Sequence, residues 1–255
     1  MPRYKLHSFP PCLLADLPSA IGLPTGTAVE ITNYGGNVAL AVNGQWRFEL
    51  PFRTTWAGRP AVGLVPAGTE LQATDYANQK WICDGAYWRP AQGRVNIGQQ
   101  YGNASQPLAT LSNTVQGYFT IPGGNPLIKA GMIIPHSRVY FEALTRKEGT
   151  GGTAGFYGRL ALVGASYPDA TFATATIGNN NLQCHRFYST ANFGTSKTQF
   201  VTPQYLAPGA GATNSTVDKG AQVNTDADME VSMAIASATV TDSFSLFGYS
   251  VWLEA

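Results

Sequence analysis

Residues 65–90, VPAGTELQATDYANQKWICDGAYWRP, constrain this chain more than any other stretch, because a more diverged copy lies just upstream. Pro24-Thr25-Gly26-Thr27 stands against Pro66-Ala67-Gly68-Thr69, and Thr32 and Tyr34 stand against Thr74 and Tyr76. Asn43-Gly44-Gln45-Trp46-Arg47 falls near Asp84-Gly85-Ala86-Tyr87-Trp88-Arg89, with a one-residue gap. An offset of about 42 residues lies in the range of a repeated supersecondary unit, and two copies are fewer than a solenoid needs. The expectation is a pair of tandem small β modules.

The residues of one module give its build. Pro-x-Gly-Thr is a tight turn, in which proline fixes φ and glycine supplies a positive φ. Residues 70–74 alternate, with Leu71 and Ala73 on one side and Glu70, Gln72 and Thr74 on the other. Asp75 opens a polar turn, and residues 80–83 form a second strand around Trp81. Asp84-Gly85 is a hairpin signal. Tyr87 and Trp88 start the return strand, which Pro90 stops. Pro66, Gly68, Thr69, Asp75, Trp81, Asp84, Gly85, Trp88, Arg89 and Pro90 are thus framework residues. About 30 residues bury too little surface to fold alone, so a module needs its sister or other copies of the chain.

The order Pro-x-Gly-Thr, strand, Asp-Tyr, Trp-x-x-Asp-Gly-x-x-Trp-Arg-Pro resembles small β repeats of tail fibres and receptor-binding, baseplate-associated proteins of tailed bacteriophages. The likeness is close over residues 65–97 and weaker over 23–50. The remainder is similar only in being a β-rich end domain full of Gly, Thr, Asn and Ser. The resemblance implies a homotrimer whose modules link a virion-attachment end to a distal domain that touches the host.

Composition narrows the class. Hydrophobic residues make up 44% of 255 residues, enough for packed cores. Charged residues make up only 12%, with 28 Gly and 16 Pro, the profile of short strands and turns. Net charge is +1 with scattered Lys and Arg, so there is no basic stripe for nucleic acid. Cys12, Cys83 and Cys184 are too far apart for a zinc site and odd in number, and read as free thiols. Residues 13–15 are too short an apolar run for a signal peptide, and no run approaches a membrane span, so membrane insertion is not expected.

Along the chain, residues 1–20 read as an attachment arm for a neighbouring protein, or as the opening strand of the first module. Residues 21–60 form the first module. Its stripe Trp46, Phe48, Leu50, Phe52 reads as one apolar strand face, in the core or at a subunit interface. Residues 61–97 form the second module, and the polar residues 98–116 a linker. Residues 117–255 read as an antiparallel β-sandwich, jelly-roll-like, with the Gly-rich stretch 149–155 as a loop. The final strand, bulky on both faces around Phe247, Tyr249 and Trp252, should be central. The fold class is all-β: two small modules followed by this sandwich.

No constellation points to catalysis. Cys184 and His185 are adjacent and face opposite ways in a strand. Nucleophile-elbow, metalloprotease and P-loop patterns are missing from the sequence. Asp226-x-Asp228-x-Glu230 opens like a calcium loop, but Val231 and Ser237 stand at its sixth and twelfth positions. Asp169, Asp218, Asp226, Asp228 and Asp242 offer no singled-out pair for glycoside hydrolysis. The reading is therefore no enzyme, no metal and no cofactor.

What remains is binding. Sugars are held by aromatic faces and by Asn, Asp and Arg side chains. Loops of the end domain are expected to offer Tyr157, Tyr167, Asp169, Asn179, Asn180, Asn181, His185, Arg186, Tyr188 and Tyr205. The expected function is a virion tail component, made in the host bacterial cytoplasm, that joins other tail or baseplate proteins to a bacterial receptor, polysaccharide or pilus. Two other readings stay open: a structural adaptor or decoration protein of the virion, and a non-viral carbohydrate-binding module.

Overall fold

The computed structural model describes residues 9–103, 105–112, 116–149, 154–163, 170–177, 182–193, 198–205, 222–224, 226–237 and 240–255, with backbone alone for 116, 170–177, 187–193, 198–205 and 222–224. The chain divides into two units, Met1–Gly93 and Arg94–Ala255. Both are β-structures, and the helical turns among the described residues are short 3-10 segments at Leu14–Asp16, Thr32–Tyr34 and Val62–Leu64.

The first unit is the repeat. Strands β1 (Ala28–Ile31), β2 (Asn37–Val42) and β3 (Gln45–Phe48) form an antiparallel sheet in that order. Strands β4 (Phe52–Thr54), β5 (Glu70–Ala73), β6 (Gln79–Cys83) and β7 (Trp88–Pro90) form the second sheet, in which β4 runs parallel to β5.

A set of hydrogen bonds recurs in both modules. The Thr27 amide and hydroxyl donate to Pro24 O at 3.1 and 2.8 Å, and those of Thr69 donate to Pro66 O at 3.2 and 2.7 Å. Gly26 (φ 93°) donates to Ala41 O, as Gly68 (φ 88°) donates to Cys83 O. The Leu14 amide donates to Asn33 Oδ1 and the Trp56 amide to Asp75 Oδ1. The indole N–H of Trp46 donates to Pro18 O, and that of Trp88 to Pro60 O. Each pair of positions is 42 residues apart, as Thr27 is from Thr69.

This correspondence corrects two expectations. The copies align without a gap: Ala41 pairs with Trp46 as Cys83 pairs with Trp88. The module also starts earlier than residue 21. Phe9 and Cys12 donate to Ala28 O and Glu30 O beside β1, Thr32 donates back to Cys12 O, and Leu14 and Ala20 are buried. Residues 9–20 are therefore the first module's opening segment, held as β4 is held against β5, where Thr74 donates to Thr54 O. Apolar burial at Leu14 and a satisfied backbone fix them there.

The frame is shared, but the cores differ. Trp56 and Trp81, 4.4 Å between ring centroids, fill the second module, where the first has Leu14 and Ala39. At the junction Phe52 is fully buried and packs edge-on against Tyr34 at 4.8 Å and Phe48 at 4.7 Å. The expected four-residue stripe is thus broken. Strand β3 ends at Phe48, the chain bends, Trp46 and Phe48 stay half-buried, and Leu50 is 65% exposed. Only Phe52 of the four is core.

Gly68 tests the turn cleanly. No atom lies within 4 Å of where its Cβ would be, so only its positive φ resists a side chain. Gly68→Ala should cost about 1–2 kcal/mol, read as a lower urea midpoint at unchanged slope; an unaltered midpoint would show that the turn relaxes freely.

The second unit packs two antiparallel sheets. The larger contains β8 (Arg94–Tyr101), β9 (Ala109–Ser112), β12 (Arg138–Glu148), β15 (Leu182–Phe193), β16 (Thr198–Tyr205), β17 (Gln222–Asn224) and β19 (Ser243–Glu254). Its order is β17-β16-β15-β12-β19-β8, with β9 also on β19. The smaller contains β10 (Gln116–Tyr118), β11 (Leu127–Ile128), β13 (Ala154–Leu162), β14 (Ala170–Ile177) and β18 (Met229–Ala236). Its order is β10-β18-β13-β14, with β11 on β18. This is the all-β, jelly-roll-like sandwich that the sequence implies.

Strand β19 is central, between β12 and β8 with β9. Residues 98–116 are not a linker over their described part. Strand β8 extends to Tyr101 and β9 follows, both paired with β19, while Gly102 and Leu108 donate to Phe247 O and Leu246 O. Val95 and Ile97 are buried, so residues 94–97 belong to the sandwich and not to the second module. The polar Gln99 and Gln100 hid a strand whose backbone is anchored by its neighbour.

Candidate functional site

The alternation of β13 decides which side chains reach solvent in the sandwich. Phe156 and Leu160 are fully buried. Phe156 stacks on Phe141 of β12 at 6.1 Å and on His185 of β15 at 5.2 Å, so these residues lie between the sheets. Tyr157 and Arg159 therefore face outward on the smaller sheet.

Register builds a patch around them. Tyr118 of β10 and Tyr157 of β13 both pair with Ala234 of β18, and Arg159 pairs with Ser232. Residues directly opposite share a face. The guanidinium of Arg159 lies 5.7 Å from the Tyr118 ring and 5.3 Å from the Tyr157 ring, and its Nη1 donates to Tyr118 Oη at 2.6 Å. Both rings are within cation–π range. Ser232 and Ala234, 6% and 1% exposed, form a floor of small residues, while Tyr118 is 39% exposed. Gly155 completes it: a Cβ there would lie 2.6 Å from Tyr157 Oη. Arg159 Nε and Ser232 Oγ are buried and have no hydrogen-bond partner among the described residues.

The sequence-selected residues do not gather in one place. Tyr157 belongs to this patch. Arg186 is exposed on the outer face of the larger sheet, where its Nε donates to Glu142 Oε2 at 2.8 Å. His185, one residue before it, points inward and is 3% exposed. It cannot meet a receptor, because Phe156 covers its ring and Thr145 Oγ1 lies 2.8 Å from its Nε2. Burial pushes the imidazole down to about 4. Cys184 is exposed on the side opposite His185, and burial followed by the charge of Glu142 raises its thiol. Tyr188 and Tyr205 lie in β15 and β16, where the backbone alone is described; Tyr167, Asp169, Asn179, Asn180 and Asn181 lie outside the described residues.

Carboxylates follow the same pattern of engagement. Asp228 accepts from Lys129 Nζ at 2.8 Å and from the Ala130 amide at 2.9 Å, which makes it a turn clamp rather than the start of a metal loop. Asp242 is buried with Lys147. Among the described residues, no three His, Cys, Asp or Glu side chains are grouped to hold a metal.

The module residues are framework. Asp84 accepts from the Ala86 and Tyr87 amides at 2.8 and 2.6 Å and from Arg89 Nε. Gly85 takes φ 99° in that turn, and Pro90 pairs with Trp81 in the sheet. The first unit also holds a cleft of about 420 Å³ that sequence reasoning missed. Strand β3 and residues 49–51 form one wall, with residues 66–70 opposite. Its only sequence signal was the aromatic stripe of β3.

No family model matches the chain, and no curated protein does. Among solved structures, the chain is similar to a non-specific endo-β-1,3(4)-glucanase from family GH16, with 8% identity over 64% of this chain and 92% of that one and a TM-score of 0.27. It is also similar to the VP2 subviral particle of infectious bursal disease virus, with 12% identity over 86% of this chain and 42% of that one and a TM-score of 0.20. At these scores neither bears on what this chain does.

Proposed function

We propose that this chain is a bacteriophage tail component, a tail-fibre or baseplate receptor-binding protein, that attaches the particle to polysaccharide on the bacterial surface. The observation that carries the reading is the outward patch of Tyr118, Tyr157 and Arg159 over Ser232 and Ala234. Two rings can meet the C–H face of a sugar, and the arginine and serine can meet its oxygens. The module motif, with its resemblance to tail-fibre repeats, supports the setting. In this reading the chain binds without turnover; among the described residues Glu142, Asp228 and Asp242 are each tied to a cation.

A structural adaptor of the virion is the second reading. The cleft beside β3 and the exposed Leu50 favour it, as surfaces suited to another virion protein.

Binding of the fluorescently labelled full chain to bacteria, with and without surface polysaccharide, separates the two. Saturable binding that is lost on the polysaccharide-deficient strain, and lost again in Arg159→Gln, is the expected result. A folded sample that binds neither strain would favour the adaptor.

A further inference from the structure

We infer that the patch on the smaller sheet takes the carboxylate of an acidic sugar, a uronic or sialic acid unit of the surface polysaccharide. This rests on the glycan-binding reading above and names its ligand class.

The inference begins with two polar atoms that lack partners. Buried polar groups are nearly always hydrogen-bonded, and each exception calls for an explanation. Here two exceptions belong to a directly opposed cross-strand pair, Arg159 and Ser232. The guanidinium has already committed one corner, Nη1, to the Tyr118 hydroxyl. Its Nε edge makes no hydrogen bond. Nε is shielded from solvent, so a carboxylate meets the second terminal nitrogen first and completes the two-bond grip along the Nε edge once that edge is uncovered. The Ser232 hydroxyl stands beside it as a further donor.

The guanidinium chooses among anions. Tyr118 and Tyr157 lie 5.7 and 5.3 Å from the guanidinium and the Tyr118 hydroxyl accepts from its Nη1, so the arginine orders little on binding. A planar carboxylate matches the flat guanidinium better than a tetrahedral phosphate does, and the sugar's C–H face can then lie against a ring. Glu230, two positions from Ser232 on the same face of β18, makes no ion pair with Arg159. It sets the limit of the anion's place, so the carboxylate must enter from the tyrosine side.

The test uses the full chain with sodium glucuronate, N-acetylneuraminate, glucose and glucose phosphate as probes in competition with labelled polysaccharide from a bound strain. Uronate or sialate should compete where glucose does not. Arg159→Gln should weaken the acidic competitor about ten- to hundredfold and Ser232→Ala about two- to tenfold. Glu230→Gln should strengthen it, a change that a merely structural role for these residues would not produce. Equal competition by glucose, with Arg159→Gln indifferent, overturns the acidic-sugar inference but leaves glycan binding intact. Stronger competition by glucose phosphate overturns the choice of carboxylate. Binding to cells that no sugar displaces overturns the inference and the polysaccharide reading together.

Discussion

Lys147→Met should lower the unfolding free energy by about 3–5 kcal/mol. Lys147 is the last inward position of β12, after Val139, Phe141, Ala143 and Thr145, all buried. Its Nζ lies 3.0 Å from Asp242 Oδ2, and both side chains are wholly shielded from solvent. Ser237 Oγ donates to the same carboxylate at 2.7 Å. Gly149 passes close above it, since a Cβ there would lie 2.2 Å from Asp242 Oδ1 at a φ of 147°. Removing the lysine leaves a carboxylate desolvated without its cation, which is the costly half of a buried ion pair. The double variant Lys147→Met/Asp242→Leu should recover most of the loss, because a well-packed apolar pair can replace a buried ion pair. Urea unfolding monitored by tryptophan fluorescence gives both values. A double variant as unstable as the single one would show that lysine packing, not charge pairing, is what matters.

Acid should weaken the sandwich through His185. Its folded value is about 4 against an ordinary 6.5, with burial as the cause. The sign follows from which state binds the proton. Above the ordinary value both states are neutral and His185 contributes nothing to the pH dependence. As pH falls from about 6.5 toward 4 the unfolded chain takes the proton first, so the folded state loses stability. The loss saturates near about 3 kcal/mol once pH is below the folded value. His185→Gln removes the titration. Wild type should therefore lose more stability than the variant between about pH 7 and about pH 4.5, and parallel curves would refute the assignment.

These two residues also show what could and could not be read from the sequence. The repeat was legible because its turns depend on residue types with a narrow use: Pro before a positive-φ Gly, and Thr whose side chain and amide share one acceptor. The alignment slipped by one residue at the hairpins because Asn43-Gly44 and Asp84-Gly85 resemble each other as dipeptides. Asn43 and Gly44 both take positive φ, whereas in the second turn Gly85 does and Asp84 instead acts as the acceptor for Ala86, Tyr87 and Arg89. The tryptophans, each tied to a proline carbonyl, carry the true register.

The sandwich was legible as a class and less so in detail. Alternation marked β12 only to Leu144, since Thr145 and Lys147 look like surface residues until His185 of β15 and Asp242, in the turn before β19, arrive. The second half of β8, residues 98–101, read as linker because a polar stretch at the end of a sheet, paired only with β19, has no local mark. Of the residues proposed here to bind sugar, Tyr157 was within reach of composition alone. Tyr118, Arg159 and Ser232 were not, because only the order β10-β18-β13 brings residues so distant in sequence onto one face.

The matched bonds of the first unit have a consequence for change in the gene. Turn, bridge, side-chain clamp and indole anchor all recur at one interval, from Thr27 to Thr69, Leu14 to Trp56 and Trp46 to Trp88. The region therefore behaves like a reading frame. Whole periods can be duplicated or excised with every contact finding its counterpart, and the interchangeable fillings of the two cores show that the frame tolerates different contents. Any shift by a fraction of the period breaks four kinds of contact at once.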